Sequence, residues 1–165
     1  MGRAATPESI EAIAPFRYAA PLAPDMAARR EAKLLHLAEV VDFCRARIDE
    51  ANAPLFIEGV GGMMSPIAED GTCLDLIHAL NAHVLLVAGS YLGAISHALT
   101  AAAALNARGG TLACVVVNES AAYNIGVEET RAAVARFLVD VDVIAMARGG
   151  GDDAIAAIAN KLRLR

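Results

Sequence analysis

The stretch Val84-Leu85-Leu86-Val87-Ala88-Gly89-Ser90 decides the fold of this 165-residue chain. Four large aliphatic residues in succession predict a strand that is buried on both faces, because a half-solvated strand alternates apolar and polar residues. The glycine and serine that follow are typical of a loop. The sequence therefore predicts a buried strand that is followed by a loop at its carboxyl end.

Similar aliphatic runs and helical patterns lie on both sides of this stretch. The other predicted strands are Leu55-Phe56-Ile57, Leu112 to Val117 and Val141-Asp142-Val143-Ile144. Apolar residues at helical spacing predict helices near Cys73 to Leu80, Ala94 to Ala107, Val127 to Leu138 and Asp152 to Leu162. Alternation of buried strands and helices predicts an α/β fold with a doubly wound, mostly parallel sheet.

The first part of the chain has a different composition. Residues 1–31 are rich in alanine and proline, and we expect loop apart from one short helix that starts at Pro7 and is capped by Thr6. From Ala32 to Asn52 an amphipathic helix is predicted by the spacing of five apolar residues: Leu34, Leu37, Val41, Cys44 and Ile48. We therefore divide the chain into a loop-rich segment, 1–31, and an α/β domain, 32–165.

Composition and charge narrow the class of protein. The net charge of -5 argues against nucleic acid and anionic membranes as partners, since both require a basic face. No stretch is apolar for the roughly 18 residues of a membrane span, and no export signal precedes Ile10. Three widely spaced cysteines and four histidines without ligand spacing indicate neither disulfides nor a metal cluster. We expect a cytoplasmic protein.

Residues that follow the predicted strands are the first candidates for a site, because ligands collect at the carboxyl ends of parallel strands. Glu58-Gly59-Val60-Gly61-Gly62 follows the first run, and its glycines would let backbone approach a phosphate or metal. A sharp turn beside a solvated glutamate is the alternative. Asn118 ends the third run, where its amide could bind a heterocycle edge or simply form a turn.

The second run leads through Gly93 into a predicted helix whose first residues are Ala94, Ile95 and Ser96. Unpaired amides and the helix dipole favour a carboxylate or phosphate at such an end. Ser96 could equally be a cap or first-turn residue. The alanine run 101–104 of this helix allows close packing on the sheet or on a second copy of the chain.

The order of several motifs resembles dethiobiotin synthetase from about Phe16 to Ile144. The motifs are Phe16 to Pro24, Phe56 to Gly62, Ser65-Pro66-Ile67, Leu92 to Ala98 and Val116-Val117-Asn118. The resemblance implies a P-loop NTPase-like synthetase fold and an ATP- and Mg²⁺-dependent cyclo-ligase. Such an enzyme carboxylates 7,8-diaminononanoate with carbon dioxide and closes the ring to dethiobiotin, in biotin biosynthesis.

The resemblance also implies roles for individual residues. Glu58 would ligate Mg²⁺, and Asn118 would bind the adenine of ATP. The backbone at Gly59, Gly61 and Gly62 would approach the reacting end of the substrate. The carboxylate tail of the substrate, bound across a homodimer interface, would be held by four residues: Gly93, Ala94, Ile95 and Ser96.

Several features of the family do not occur in this sequence. The Gly-Lys-[Ser/Thr] phosphate-binding loop is absent, as are the catalytic lysine and the further acidic ligand expected near it. Ala145 to Gly151 also replaces the Ile-Pro type stretch expected in the nucleotide loop. We expect a synthetase truncated at its N-terminus and inactive alone. The alternatives are a non-catalytic binding module of the same fold and a cobyrinate diamide synthase-like domain.

Overall fold

A computed structural model describes residues 5–121 and 125–162. Residues 1–4, 122–124 and 163–165 lie outside this description. They belong to the predicted segments 1–31 and 32–165. The described helices are α1 (Pro7–Ile13), α2 (Pro24–Arg30), α3 (Leu37–Glu50), α4 (Cys73–Leu80), α5 (Ala94–Ala107), α6 (Val127–Ala135) and α7 (Asp152–Lys161). The described strands are β1 (Pro66–Ala68), β2 (Gly71–Thr72), β3 (His83–Gly89), β4 (Thr111–Asn118) and β5 (Val143–Met146).

The larger sheet contains β3, β4 and β5 in that order, and both pairs are parallel. The connections run through α5 between β3 and β4, and through α6 between β4 and β5. Parallel neighbours need such crossovers because a tight turn can join only antiparallel strands. The parallel sheet with alternating helices that the aliphatic runs predicted is confirmed.

The centre of the sheet is covered on both faces. Residues 114–117 of β4 point alternately to the two faces and are all buried. Val115 packs with Ala98 of α5 and Val134 of α6 on one face. Its neighbour Cys114 is buried on the other face, and α7 packs against β4 and β5. Helices therefore cover both faces, as a doubly wound sheet requires.

A second packing unit is formed by the part of the chain before β3. Side chains of α3 and α4 share an apolar cluster with the hairpin β1–β2, represented by Val41, Leu76 and Ile67. Ala28 of α2 is buried with Leu35 and Ala68 in an adjoining cluster. Helix α4 begins at a capping box in which Thr72 and Asp75 bond to each other's backbone amides.

The prediction of a strand at Leu55-Phe56-Ile57 is wrong. These residues are irregular, and their exposed fractions are 45%, 64% and 41%. An aliphatic run becomes a strand only when a neighbouring strand accepts its backbone hydrogen bonds. Among the described residues, β3 pairs with β4 alone, and residues 55–57 do not pair with its open edge, so the run forms no strand.

Several other boundaries differ from the sequence prediction. The short helix from Pro7, capped by Thr6, is confirmed, whereas the loop expected after it contains α2, which begins at Pro24 and ends in Arg29 and Arg30. Helix α3 begins five residues later than predicted, because His36 is its N-cap and donates its amide to the Glu39 carboxylate at 3.0 Å. Helix α6 ends at Ala135 rather than Leu138, and β5 lies two residues further along than predicted.

Among residues 5–121 and 125–162, no helix has the length and apolarity that crossing a membrane requires.

Candidate functional site at the carboxyl edge of the sheet

The carboxyl ends of the three parallel strands bring separate candidate residues together. In the strand register Gly89 lies opposite Asn118, and Asn118 lies opposite Met146. Asn118 is exposed at this edge, so its amide group is open to a ligand. The loop from β3 to Gly93 therefore starts beside the strand end that carries Asn118, as the rule for parallel sheets predicted.

Two serines fasten the ends of β3 and β4 to each other. The amide of Ser90 donates to the hydroxyl of Ser120 at 3.0 Å, and the amide of Ser120 donates to the hydroxyl of Ser90 at 3.0 Å. Ser90 is fully buried. A Cβ at Gly89 would lie 2.8 Å from the Ser120 hydroxyl oxygen, so glycine is needed for this close approach.

Gly93 turns the chain into α5. Its φ of +96° lies in the left-handed region, which glycine adopts without the cost paid by other residues. The next amide, that of Ala94, donates to the Tyr91 carbonyl at 3.0 Å, and Ala94 is buried. The amides of Ile95 and Ser96 are therefore the ones through which this helix end could hold an anion.

An aromatic pair stands beside this helix end. The Tyr91 hydroxyl and Nδ1 of His97 are 3.3 Å apart, and both side chains are exposed. A Cβ placed on Gly93 would lie 3.7 Å from the His97 ring, which is ordinary contact. The backbone conformation, rather than lack of space, is what favours glycine at position 93.

The glycine-rich loop after Glu58 lies against the start of α4. Ser65 closes a turn by accepting from the Gly62 amide at 2.8 Å and donating its own amide to the Gly62 carbonyl at 2.9 Å. Cys73 fastens the turn through its amide, which donates to the Ser65 carbonyl at 3.0 Å. A Cβ at Gly59 would lie 2.6 Å from the sulfur of Cys73. Burial raises the pKa of the Cys73 thiol, which keeps it protonated and poorly nucleophilic.

Glu58 contributes a single exposed carboxylate at the start of this loop. Among the described residues, no group of three or more His, Cys, Asp or Glu side chains is arranged to hold a metal ion. Mg²⁺ is commonly bound by one or two carboxylates together with phosphate oxygens and water. By this chemistry Glu58 could contribute one ligand to Mg²⁺, with phosphate oxygens and water supplying the others.

Glu119 links the end of β4 to the segment after β5. Its amide donates to the Met146 carbonyl at 2.8 Å, and its carboxylate accepts from the Arg148 amide at 2.9 Å. Glu119 and Ser120 are consecutive, so one short segment fastens β4 to both neighbouring strand ends. Glu119, Ser120 and Ser90 were not among the predicted site residues, although their place directly after predicted strand ends was a usable signal.

A parallel sheet with alternating helices and polar residues at its carboxyl edge is an α/β architecture in which ligands bind at that edge. A family model described as an AAA domain matches residues 3–162. ATP-dependent dethiobiotin synthetase BioD of Methylobacterium nodulans is 49% identical over 149 residues, which are 88% of this chain and 65% of that protein.

Two further relatives carry the same name. The one from Acidiphilium cryptum is 45% identical over 131 residues, which cover 79% of this chain and 59% of that protein. The one from Caulobacter sp. strain K31 is 45% identical over 157 residues, which cover 94% of this chain and 67% of that protein. The chain belongs to the dethiobiotin synthetase family, and it spans about two thirds or less of the length of these relatives.

Proposed function

We propose that this chain supplies the nucleotide-base site and the substrate-carboxylate site of a dethiobiotin synthetase. The supporting observation is the carboxyl edge of the sheet, where Asn118 and the loop that leads to Gly93 start from opposed positions of neighbouring strands. Relatives that are 45–49% identical carry the name of this ATP-dependent enzyme. The reaction is the ATP-dependent carboxylation and ring closure of 7,8-diaminononanoate.

Each group at the edge has a task in this proposal. The Asn118 amide donates to and accepts from the adenine edge. The amides of Ile95 and Ser96, aided by the dipole of α5, hold the carboxylate tail of 7,8-diaminononanoate. Gly59, Gly61 and Gly62 let backbone lie close to the reacting end, where one amine loses a proton and takes up carbon dioxide as a carbamate. A carbamate oxygen attacks the γ-phosphate and ADP leaves. The second amine then attacks the carbamate carbon and loses a proton, and phosphate leaves as the ring closes.

Glu58 is the residue that would hold Mg²⁺ in this scheme. When bound, the ion supplies positive charge that offsets the charge gathering on the transferring phosphoryl group. The sequence holds no Gly-Lys-[Ser/Thr] loop to position that group. The chain alone is therefore expected to form little or no dethiobiotin.

The assembly and location follow from the same proposal. A homodimer would let two copies share the carboxylate site, and the exposed apolar residues Val87 and Leu92, 61% and 78% exposed, offer a surface for it. The cysteines, Cys44, Cys73 and Cys114, are free thiols, which suits a reducing compartment such as the cytoplasm.

The test is an assay of dethiobiotin formation from ATP, Mg²⁺, carbon dioxide and 7,8-diaminononanoate. The chain is assayed alone and after fusion to the N-terminal segment of the Methylobacterium nodulans relative, once that segment is verified to contain the phosphate-binding loop. We expect activity only in the fusion, and its loss in Glu58→Gln but not in the matched control Glu129→Gln. An inactive fusion that still binds AMP would favour the non-catalytic binding module instead.

A further inference from the structure

The segment between β5 and α7, residues 147–151, contains three successive glycines. Gly149 and Gly150 have positive φ values of 93° and 85°, and Gly151 precedes α7. Three successive glycines bring no side chains to pack and carry the largest conformational freedom of any residue. A defined position for this segment therefore depends on hydrogen bonds made by its backbone.

Two hydrogen bonds position the first part of the segment, and the Gly151 carbonyl at its end accepts from the Ile155 amide of α7 at 3.0 Å. The amide of Gly150 donates to the Ala147 carbonyl at 2.9 Å and closes a four-residue turn whose third residue, Gly149, has the positive φ of a type II turn. The second residue of the turn is Arg148, whose amide donates to the carboxylate of Glu119 at 2.9 Å. The first bond shapes the turn, and the second fastens it to β4.

The turn fastened in this way lies next to the proposed base site. Glu119 directly follows Asn118, and Asn118 lies opposite Met146, two residues before Arg148. A base that hydrogen bonds to Asn118 at this edge must fit beside the turn. The position in which Glu119 holds the turn therefore limits which base edges fit between the turn and Asn118.

We propose that Glu119 is a positioning residue that sets the purine selectivity of this site. It acts through the Arg148 amide and does not touch the nucleotide. This inference rests on the proposed function, because it assumes that Asn118 binds the base. With the Glu119 bond intact the turn excludes guanine; without it the glycine-rich segment moves and admits both purines.

The experiment compares AMP with GMP on the unmodified chain and on three variants, by following backbone amide chemical shifts during titration. AMP and GMP differ only in the base, so the ratio of their dissociation constants isolates base selectivity. Glu119→Ala removes the acceptor, Glu119→Gln keeps an oxygen that can accept from the Arg148 amide, and Glu129→Ala removes an exposed carboxylate on α6 as the matched control.

We expect the unmodified chain to bind AMP more tightly than GMP. The ratio should fall by roughly three- to tenfold in Glu119→Ala, the size of effect that one lost hydrogen bond gives. Glu119→Gln and Glu129→Ala should keep it. Hydrogen exchange at the Arg148 amide should become faster only in Glu119→Ala, which separates loss of the tether from general unfolding.

Two different failures are distinguishable. If Glu119→Ala weakens AMP and GMP by the same factor, Glu119 has only a structural role and the inference is overturned while the base site stands. Equal binding of AMP and GMP by the unmodified chain overturns it as well. If the unmodified chain binds neither nucleotide at millimolar concentration, the proposed base site itself is wrong, and the inference is overturned with it.

Discussion

Ser90 and Ser120 exchange hydrogen bonds, each hydroxyl accepting from the backbone amide of the other at 3.0 Å. The pair spans the carboxyl ends of β3 and β4, 30 residues apart in the chain. Ser90 has no exposed surface, so water has little access to the amides if a hydroxyl is removed. The pair therefore stabilises the sheet edge on which both proposed binding sites depend.

Replacing one serine of this pair should destabilise the fold. Ser90→Ala leaves the partly buried Ser120 amide without its acceptor, and an unsatisfied donor shielded from water costs up to about 1–3 kcal/mol. Urea denaturation measures the change in the free energy of unfolding. Ser96→Ala, at an exposed position in the first turn of α5, is the control and should change it by less than about 0.5 kcal/mol. Equal changes in both variants would contradict the role of the pair.

Asp75 should make part of the stability depend on pH. The Thr72 hydroxyl and amide, helped by Arg108, hold the pKa of the Asp75 carboxyl below its usual value of 3.8. A lowered pKa means that the folded state favours the ionised form, so this stabilisation is complete above about pH 4 and is lost as the pH falls through the lowered pKa.

The measurement is the free energy of unfolding from about pH 3 to about pH 7 in the unmodified chain and in Asp75→Asn. Asp75→Asn should have a lower free energy of unfolding than the unmodified chain near pH 7. Its free energy of unfolding should fall less on acidification, because the asparagine side chain does not titrate. Asp49→Asn, on an exposed position of α3, should keep the full pH dependence. A parallel pair of curves for the unmodified chain and Asp75→Asn would rule out the proposed contribution.

The exposed edge of the sheet should promote self-association. In the described part of the chain β3 pairs on one side only, and Val87 is 61% exposed. Val87→Lys places a charge at this edge, which should weaken a dimer formed there. Sedimentation at micromolar concentration is the measurement, with Val139→Lys as the control because Val139 is 87% exposed but lies before β5. Dissociation caused by Val139→Lys alone would place the interface elsewhere.

The sequence predicted the elements whose environment is the same on both faces. The runs around Val84 and Val115 become β3 and β4 because continuous burial leaves a signal that needs no knowledge of neighbours. Their order also predicted that Asn118 and the loop to Gly93 start from the same edge, since parallel strands end together. These parts of the fold and site follow from local pattern and a simple topological rule.

The remainder depends on contacts that the sequence does not encode locally. The run at Phe56 has the composition of a strand, but strand formation needs a partner, and that is a property of the whole sheet. Glu119 looks like an ordinary loop residue until its carboxylate is seen 2.9 Å from the Arg148 amide, 29 residues away. Helix α2 did carry local signals, Pro24 at its first position and arginines in its last turn, which the sequence analysis overlooked.

Gly93 allows strain and ligand binding to be separated, because α5 has a glycine of positive φ near each end. Gly93 has a φ of +96° and Gly109 a φ of +69°. A Cβ at either position costs about 1–2 kcal/mol, so Gly93→Val and Gly109→Val should both lower the free energy of unfolding by at least that amount. Only Gly93 lies beside the amides of Ile95 and Ser96.

Titration with 7,8-diaminononanoate, followed through the amide chemical shifts of Ile95 and Ser96, should therefore distinguish the two variants. In Gly93→Val the ligand should no longer change these chemical shifts, because the substitution rearranges the turn and places a branched side chain at the N-terminal end of α5. In Gly109→Val the ligand should change them as in the unmodified chain. The neutral amide of the same acid should bind more weakly to the unmodified chain, since the helix end favours negative charge. Equal shifts in Gly93→Val and the unmodified chain, or equal binding of the acid and its amide, would show that this helix end is not the carboxylate site.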